Sequence, residues 1–149
     1  MVGVSKPTNK ILVAGNPVIR EFKAVAATIY PGHLVQFDTS DIEIAIGGAA
    51  TGTNALGIGI VDWNSAHESY KPATRATAYA DNAFIPVIMC GSGSIVMAYT
   101  EGGVESGGVL TGQAGDGALI TGTIGTNHVY AIALEDLATT DVLTPILLL

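Results

Sequence analysis

The chain repeats itself. Leu34-Val35 falls on Val109-Leu110, each pair just past a glycine turn, Pro31-Gly32 in one case and Gly107-Gly108 in the other. The stretch from Asn54 to Trp63 is echoed from His128 to Leu137. Asn82 to Met89, with Pro86, is echoed from Asp141 to Leu148, with Pro145. Three matches in the same order describe one unit used twice, at about residues 22–89 and 94–149. Two copies are too few for a solenoid, which needs about three or more repeats to bury its faces. They suit a compact body with internal pseudo-symmetry.

Each unit reads as β structure. Ile42, Ile44 and Ile46 alternate with Glu43 and Ala45, the pattern of a half-buried strand. Leu56, Ile58 and Ile60 face one way while Gly57 and Gly59 face the other, as expected where a second backbone approaches closely or a barrel turns a corner. Tyr30-Pro31-Gly32 is a turn: proline sets φ and glycine tolerates positive φ. Pro86 and Pro145 have no amide hydrogen, so both of their strands are expected at an edge or a bulge. Helical periodicity is weak, and most of the 19 Gly and 6 Pro residues fall where apolar runs end. The expected fold is all-β, a small β-barrel or β-sandwich built from the duplicated strand unit. Residues 1–20 are expected as an extended, flexible N-terminal arm and residues 21–149 as a single β domain. An insert over 65–79 has no counterpart in the second copy and is expected as a loop or extra hairpin on a working face.

Charge restricts the function. The chain is 48% apolar and only 13% charged, about half the usual ~25%. A surface so poor in charge suits one that neighbours cover. The net charge of -7 weighs against nucleic acid, whose backbone calls for clustered Lys and Arg. Lys6, Lys10, Arg20 and Lys23 lie near the start, Lys71 and Arg75 lie in the insert, and no basic residue follows. Such asymmetry can orient a protein on a charged protein surface. Lys6, Lys10, Arg20, Lys71 and Arg75 are therefore the candidate docking contacts. No apolar run approaches the ~20 residues of a membrane-spanning helix, and the opening residues lack the blocks of a signal peptide.

Reactive groups are sparse. Cys90 is single, so neither an internal disulfide nor a multi-cysteine metal site is available, and its setting in Val87-Ile88-Met89-Cys90 is that of a buried small hydrophobe. His33, His67 and His128 are scattered without metal-ligand spacing. No nucleophile elbow or phosphate loop is present. Gly112 to Gly117 lacks the flanking acidic ligands of a calcium turn and reads as a hairpin loop. The expectation is no enzyme, no cofactor and no metal. Trp63 and Tyr70 are candidate interface aromatics. Leu147, in the apolar run Thr144 to Leu149, is expected at a contact between copies or in the core.

Two stretches carry a family resemblance: Ala26-Ala27-Thr28-Ile29-Tyr30-Pro31-Gly32-His33-Leu34-Val35-Gln36-Phe37-Asp38 and Ala55-Leu56-Gly57-Ile58-Gly59-Ile60-Val61-Asp62. They resemble the head decoration (cement) proteins of tailed bacteriophages and related viruses. The likeness runs from about Phe22 to the end, with the insert as a departure. It implies a capsid decoration protein of the virion, seated on the outer capsid surface. It would bind the major capsid protein, stabilise the head by bridging its subunits, and form a homo-oligomer, with a trimer favoured. The alternative from a different class is a non-catalytic β-sandwich binding module for a carbohydrate or host-surface ligand. That reading calls for a planar row of exposed aromatics, and the chain has few aromatic residues.

Overall fold

A computed structural model of the chain describes residues 9–38, 40, 42–48, 56–113, 115–137 and 142–149. They form eleven strands and no helix. The strands are β1 (Leu12–Ala14), β2 (Ile19–Ala24), β3 (Leu34–Phe37), β4 (Glu43–Ile46), β5 (Gly57–Val61), β6 (Phe84–Met89), β7 (Ile95–Thr100), β8 (Val109–Gly112), β9 (Leu119–Thr121), β10 (Ala131–Ala133) and β11 (Val142–Leu148).

The duplication is complete at the level of topology. Copy one closes into a five-stranded barrel in the order β2-β4-β3-β5-β6, with β6 returning to β2. Copy two runs β7-β11-β10-β8-β9 and closes through a β7–β9 pairing. β2 thus answers to β7, β3 to β8, β4 to β9, β5 to β10 and β6 to β11. Even the one parallel pair recurs, β2 with β4 and β7 with β9. The chain is all-β as the sequence implies, and each copy closes its own small barrel. Closure removes the free edges that a short open sheet would expose.

The turn before β3 and its echo before β8 share one geometry. His33 N–H donates to the Tyr30 carbonyl at 3.1 Å, and Gly108 N–H donates to the Glu105 carbonyl at 2.9 Å. Gly32 and Gly107 hold the third position of each turn at φ 94° and 82°, where an L side chain is strained. Inside the barrels, strand alternation sorts the core. Phe22, Ala24, Val35, Ile44, Val61, Ile85 and Val87 fill barrel one. Val96, Ala98, Leu110, Ala131, Ile146 and Leu148 belong to the second core. Gly59 faces inward, and a Cβ there would strike the Ile88 backbone carbonyl, as the glycine face of that strand predicts.

The barrels are joined by a surface, not a linker. Leu34, Ile60 and Ile88 lie side by side on the outside of barrel one, in register across β3, β5 and β6. All three are fully buried in the second core. Burying each contributes on the order of 2 kcal/mol.

Three expectations need correction. First, Pro86 and Pro145 are not on edge strands, since β6 and β11 are each paired on both sides. The Pro86 carbonyl accepts from Asp62 N–H at 2.9 Å, and the reciprocal donor is the one proline lacks. Tyr79 supplies it: its hydroxyl donates to the Asp62 carbonyl at 2.6 Å. Copy two repeats the solution. The Pro145 carbonyl accepts from Leu134 N–H at 3.2 Å, and Ser106 Oγ donates to the Leu134 carbonyl at 3.3 Å.

Second, the alignment of β5 with β10 slips by two residues. Gly59 stands opposite Val35 and Met89, while Ala131 stands opposite Leu110 and Leu148, so Gly59 answers to Ala131, not to Ala133. Side chains alternate with period two, so a slip of two keeps every residue on its face and leaves no trace in the pattern. Third, the arm over 1–20 is not free where it is described. Residues 1–8, Lys6 included, lie outside the described residues. Ile11 is fully buried, β1 pairs with β7, and β2 already begins at Ile19. The insert, expected as a loop or extra hairpin, is a loop of successive turns.

Candidate functional site

The insert is anchored at both ends and in its middle. Asp62, buried at the end of β5, accepts from Ser65 N–H at 3.1 Å and from Ser65 Oγ at 2.5 Å, which starts the turn. Trp63 Nε1 donates to the Pro72 carbonyl at 3.0 Å, and the Lys71 ammonium lies 4.3 Å from the Trp63 ring centroid. That distance is a cation–π contact. Tyr79 closes the loop, fully buried beneath it. Burial, and then the charge of Asp62, push the Tyr79 phenol well above its ordinary value.

The same loop clamps the N-terminal segment. Arg75 Nη1 donates to the Lys10 carbonyl at 3.0 Å, and Asn64 Nδ2 donates to the Asn9 carbonyl at 3.1 Å. Of the candidate docking residues, the fold therefore brings Lys10 and Arg75 together, with Lys71 on the same insert. Arg20 is exposed on β2, opposite Val87. A groove of about 560 Å³ beside this clamp is lined by Lys10, Leu12, Ile19, Asp62 and Asn64, among others.

The candidate interface residues divide. Trp63 is half-buried and packs against the second core, with its one donor used within the chain. It fixes the insert. Tyr70 is 39% exposed and meets Phe84 edge-on, ring centroids 5.9 Å apart, with Phe84 itself 41% exposed. Together with Glu21, His67 and Ser69 they line a shallow groove of about 430 Å³. Phe84 was not singled out by sequence, because it opens an apolar run that reads as core. Leu147 is half-buried on β11 between Ile95 and Ile132 and belongs to neither core. Its neighbours Ile146 and Leu148 point inward.

Among the described residues no group of His, Cys, Asp and Glu is placed to hold a metal ion. Cys90 is half-buried, and burial pushes its thiol up to about 11, so it stays protonated and unreactive at neutral pH. His33 sits between the barrels, where its Nδ1 accepts from Tyr30 N–H at 3.2 Å and its ring packs on Tyr30 and Tyr99. A cleft of about 240 Å³ opens there, and Asp116 and Ala118 complete it. Its histidine is committed to the turn.

No protein-family model matches the chain, and no curated protein matches it significantly. Among solved structures, the fold is similar to the N base of the head fiber gp8.5 of bacteriophage phi29. The two share 15% identity at a TM-score of 0.54, over 90% of this chain and 95% of that one. At that identity the likeness is one of fold, and it covers both barrels.

Proposed function

We propose that this chain is a structural component of a phage virion, seated on the outside of the head, where it bridges major capsid subunits and stiffens the shell. The observation that carries this reading is the twin-barrel fold, shared over 90% of the chain with the base of a head fiber. The sequence resemblance to head decoration proteins points the same way from different evidence. Arg75 meets the Lys10 backbone at the clamp and Lys71 lies on the same insert, so these three of the six basic residues of an acidic chain belong to the N-terminal segment and the insert. A dipolar charge layout of this kind orients a protein on a charged surface. Many weak contacts then add up across a lattice.

The test is co-sedimentation of the purified protein with mature heads of the phage that encodes it. The expected result is saturable binding. A Lys71→Glu, Arg75→Glu double variant should bind several-fold more weakly at low salt, with the difference shrinking as salt screens the contact. Protein that stays wholly in the supernatant at high concentration would overturn the proposal.

A further inference from the structure

The joint between the barrels mates two different surfaces, and each has a counterpart elsewhere that no described residue covers fully. One surface is the outer row Leu34, Ile60 and Ile88. The other is the mouth of barrel two, where β7, β9 and β10 begin and β8 and β11 end, together with the flank of β7, whose Tyr99 N–H donates to the Gly32 carbonyl at 3.0 Å. Leu34 N–H donates to the Gly117 carbonyl at 2.8 Å, Gly91 N–H to the Leu149 carbonyl at 2.7 Å, and Gly57 N–H to Tyr130 Oη at 3.1 Å. All three bonds seat barrel one on that mouth.

Strand register gives the counterparts. Leu34, Ile60 and Ile88 answer to Val109, Ile132 and Leu147, which lie side by side across β8, β10 and β11 and continue to Ile95 on β7. These four are partly exposed and belong to neither core. The turn glycines repeat the contrast. A Cβ on Gly32 would strike Leu143 of barrel two, whereas one on Gly107 would meet nothing within 4 Å. The mouth of barrel one, where β2, β4 and β5 begin and β3 and β6 end, is rimmed by Val18 (58% exposed), Phe37 (42%), Ile42 (56%) and Leu56 (43%). Among the described residues, every molecule thus carries one partly exposed outer row and one exposed mouth, both apolar, on a chain with few charges to keep them in water.

We propose that copies of this chain associate head to tail, the outer row of barrel two in one copy covering the mouth of barrel one in the next. The contact pairs the same two kinds of surface as the joint within a molecule without being identical to it, since the Ile42 carbonyl, which stands where Gly117 accepts from Leu34 in the joint, already accepts from Lys23 N–H at 2.7 Å. It is heterologous, so each added copy presents one fresh row and one fresh mouth, and the assembly closes into a ring or continues as a filament. It does not depend on the virion reading. The register is shared but the side chains are not. Phe37 stands where barrel two has Gly112, whose Cβ would collide with the Gly48 carbonyl. The free mouth therefore offers an aromatic rim where the covered one admits a backbone.

The bonded pair Leu34 and Gly117 translates to Val109 of one copy and Ile42 of its neighbour, which defines the test. Val109→Cys and Ile42→Cys are made separately in a Cys90→Ala background, with far-UV melting to confirm that each folds. After mild oxidation, an equimolar mixture should give a covalent dimer of unlike chains, and neither variant alone should. A chain carrying both cysteines should give a ladder or a closed ring. The parent chain should sediment as an oligomer at micromolar concentration. A monomeric parent, or a mixture that yields no unlike dimer, overturns the proposal. So does a disulfide dimer of either single variant alone, which would mean a face-to-face contact.

Discussion

Tyr79 shows how a proline is tolerated inside a closed barrel. Pro86 leaves the Asp62 carbonyl without its ladder donor, and the buried phenol fills the gap. Tyr79→Phe should therefore cost about 1–3 kcal/mol, the range for orphaning a buried acceptor. The Ser106→Ala change at the equivalent place in copy two removes a longer bond from an exposed residue and should cost under about 1 kcal/mol. Pro86→Ala restores an N–H aimed at the same carbonyl, so Tyr79→Phe should cost less in that background. Urea unfolding of the four members of the cycle measures the coupling, and strict additivity would mean that the two donors do not share the Asp62 carbonyl.

The same phenol makes the fold alkali-sensitive. Its folded value lies above the ordinary 10.0, so above about pH 10 the unfolded chain gives up a proton that the folded chain keeps. Stability falls with rising pH in that window. Cys90, raised from 9.0 to about 11, adds a loss of the same sign beginning about one unit lower. Urea midpoints at about pH 8 and about pH 11 should drop for the parent and drop less for Tyr79→Phe. An equal drop in both would remove Tyr79 as a source.

At the level of elements, the N-terminal segment belongs to the body. Ile11 is fully buried against the second core, and its carbonyl accepts from Met97 N–H at 2.8 Å. Ile11→Ala should cost about 2–4 kcal/mol in denaturant melts. This anchoring was illegible in the sequence because Ile11 to Ala14 is too short to carry a period, and its partner β7 is distant in the chain. The elements that were legible share a property: glycine turns and alternating runs are local signals, as at Pro31-Gly32 and at Ile44. The edge assignment of Pro86 failed because the remedy, Tyr79, lies in the very insert that breaks the repeat. The anchoring of Trp63 was illegible for a related reason, since its partner Pro72 comes from a loop with no periodic pattern.

On the scale of the whole molecule, the duplication makes two barrels but one folding unit. The row Leu34, Ile60 and Ile88 is outside the first barrel by topology and inside the second core by packing. Neither half can keep its core dry alone: barrel two without the row has an open mouth, and barrel one without barrel two exposes three large side chains. Unfolding should therefore be a single transition, with Trp63 fluorescence and far-UV circular dichroism coincident in urea. Ile60→Ala should lower both signals together by about 2–4 kcal/mol, because one side chain serves both halves. Two separated transitions, or a change confined to one probe, would mean that the barrels are independent domains in contact. The joint would then be too weak a contact to be worth repeating between copies.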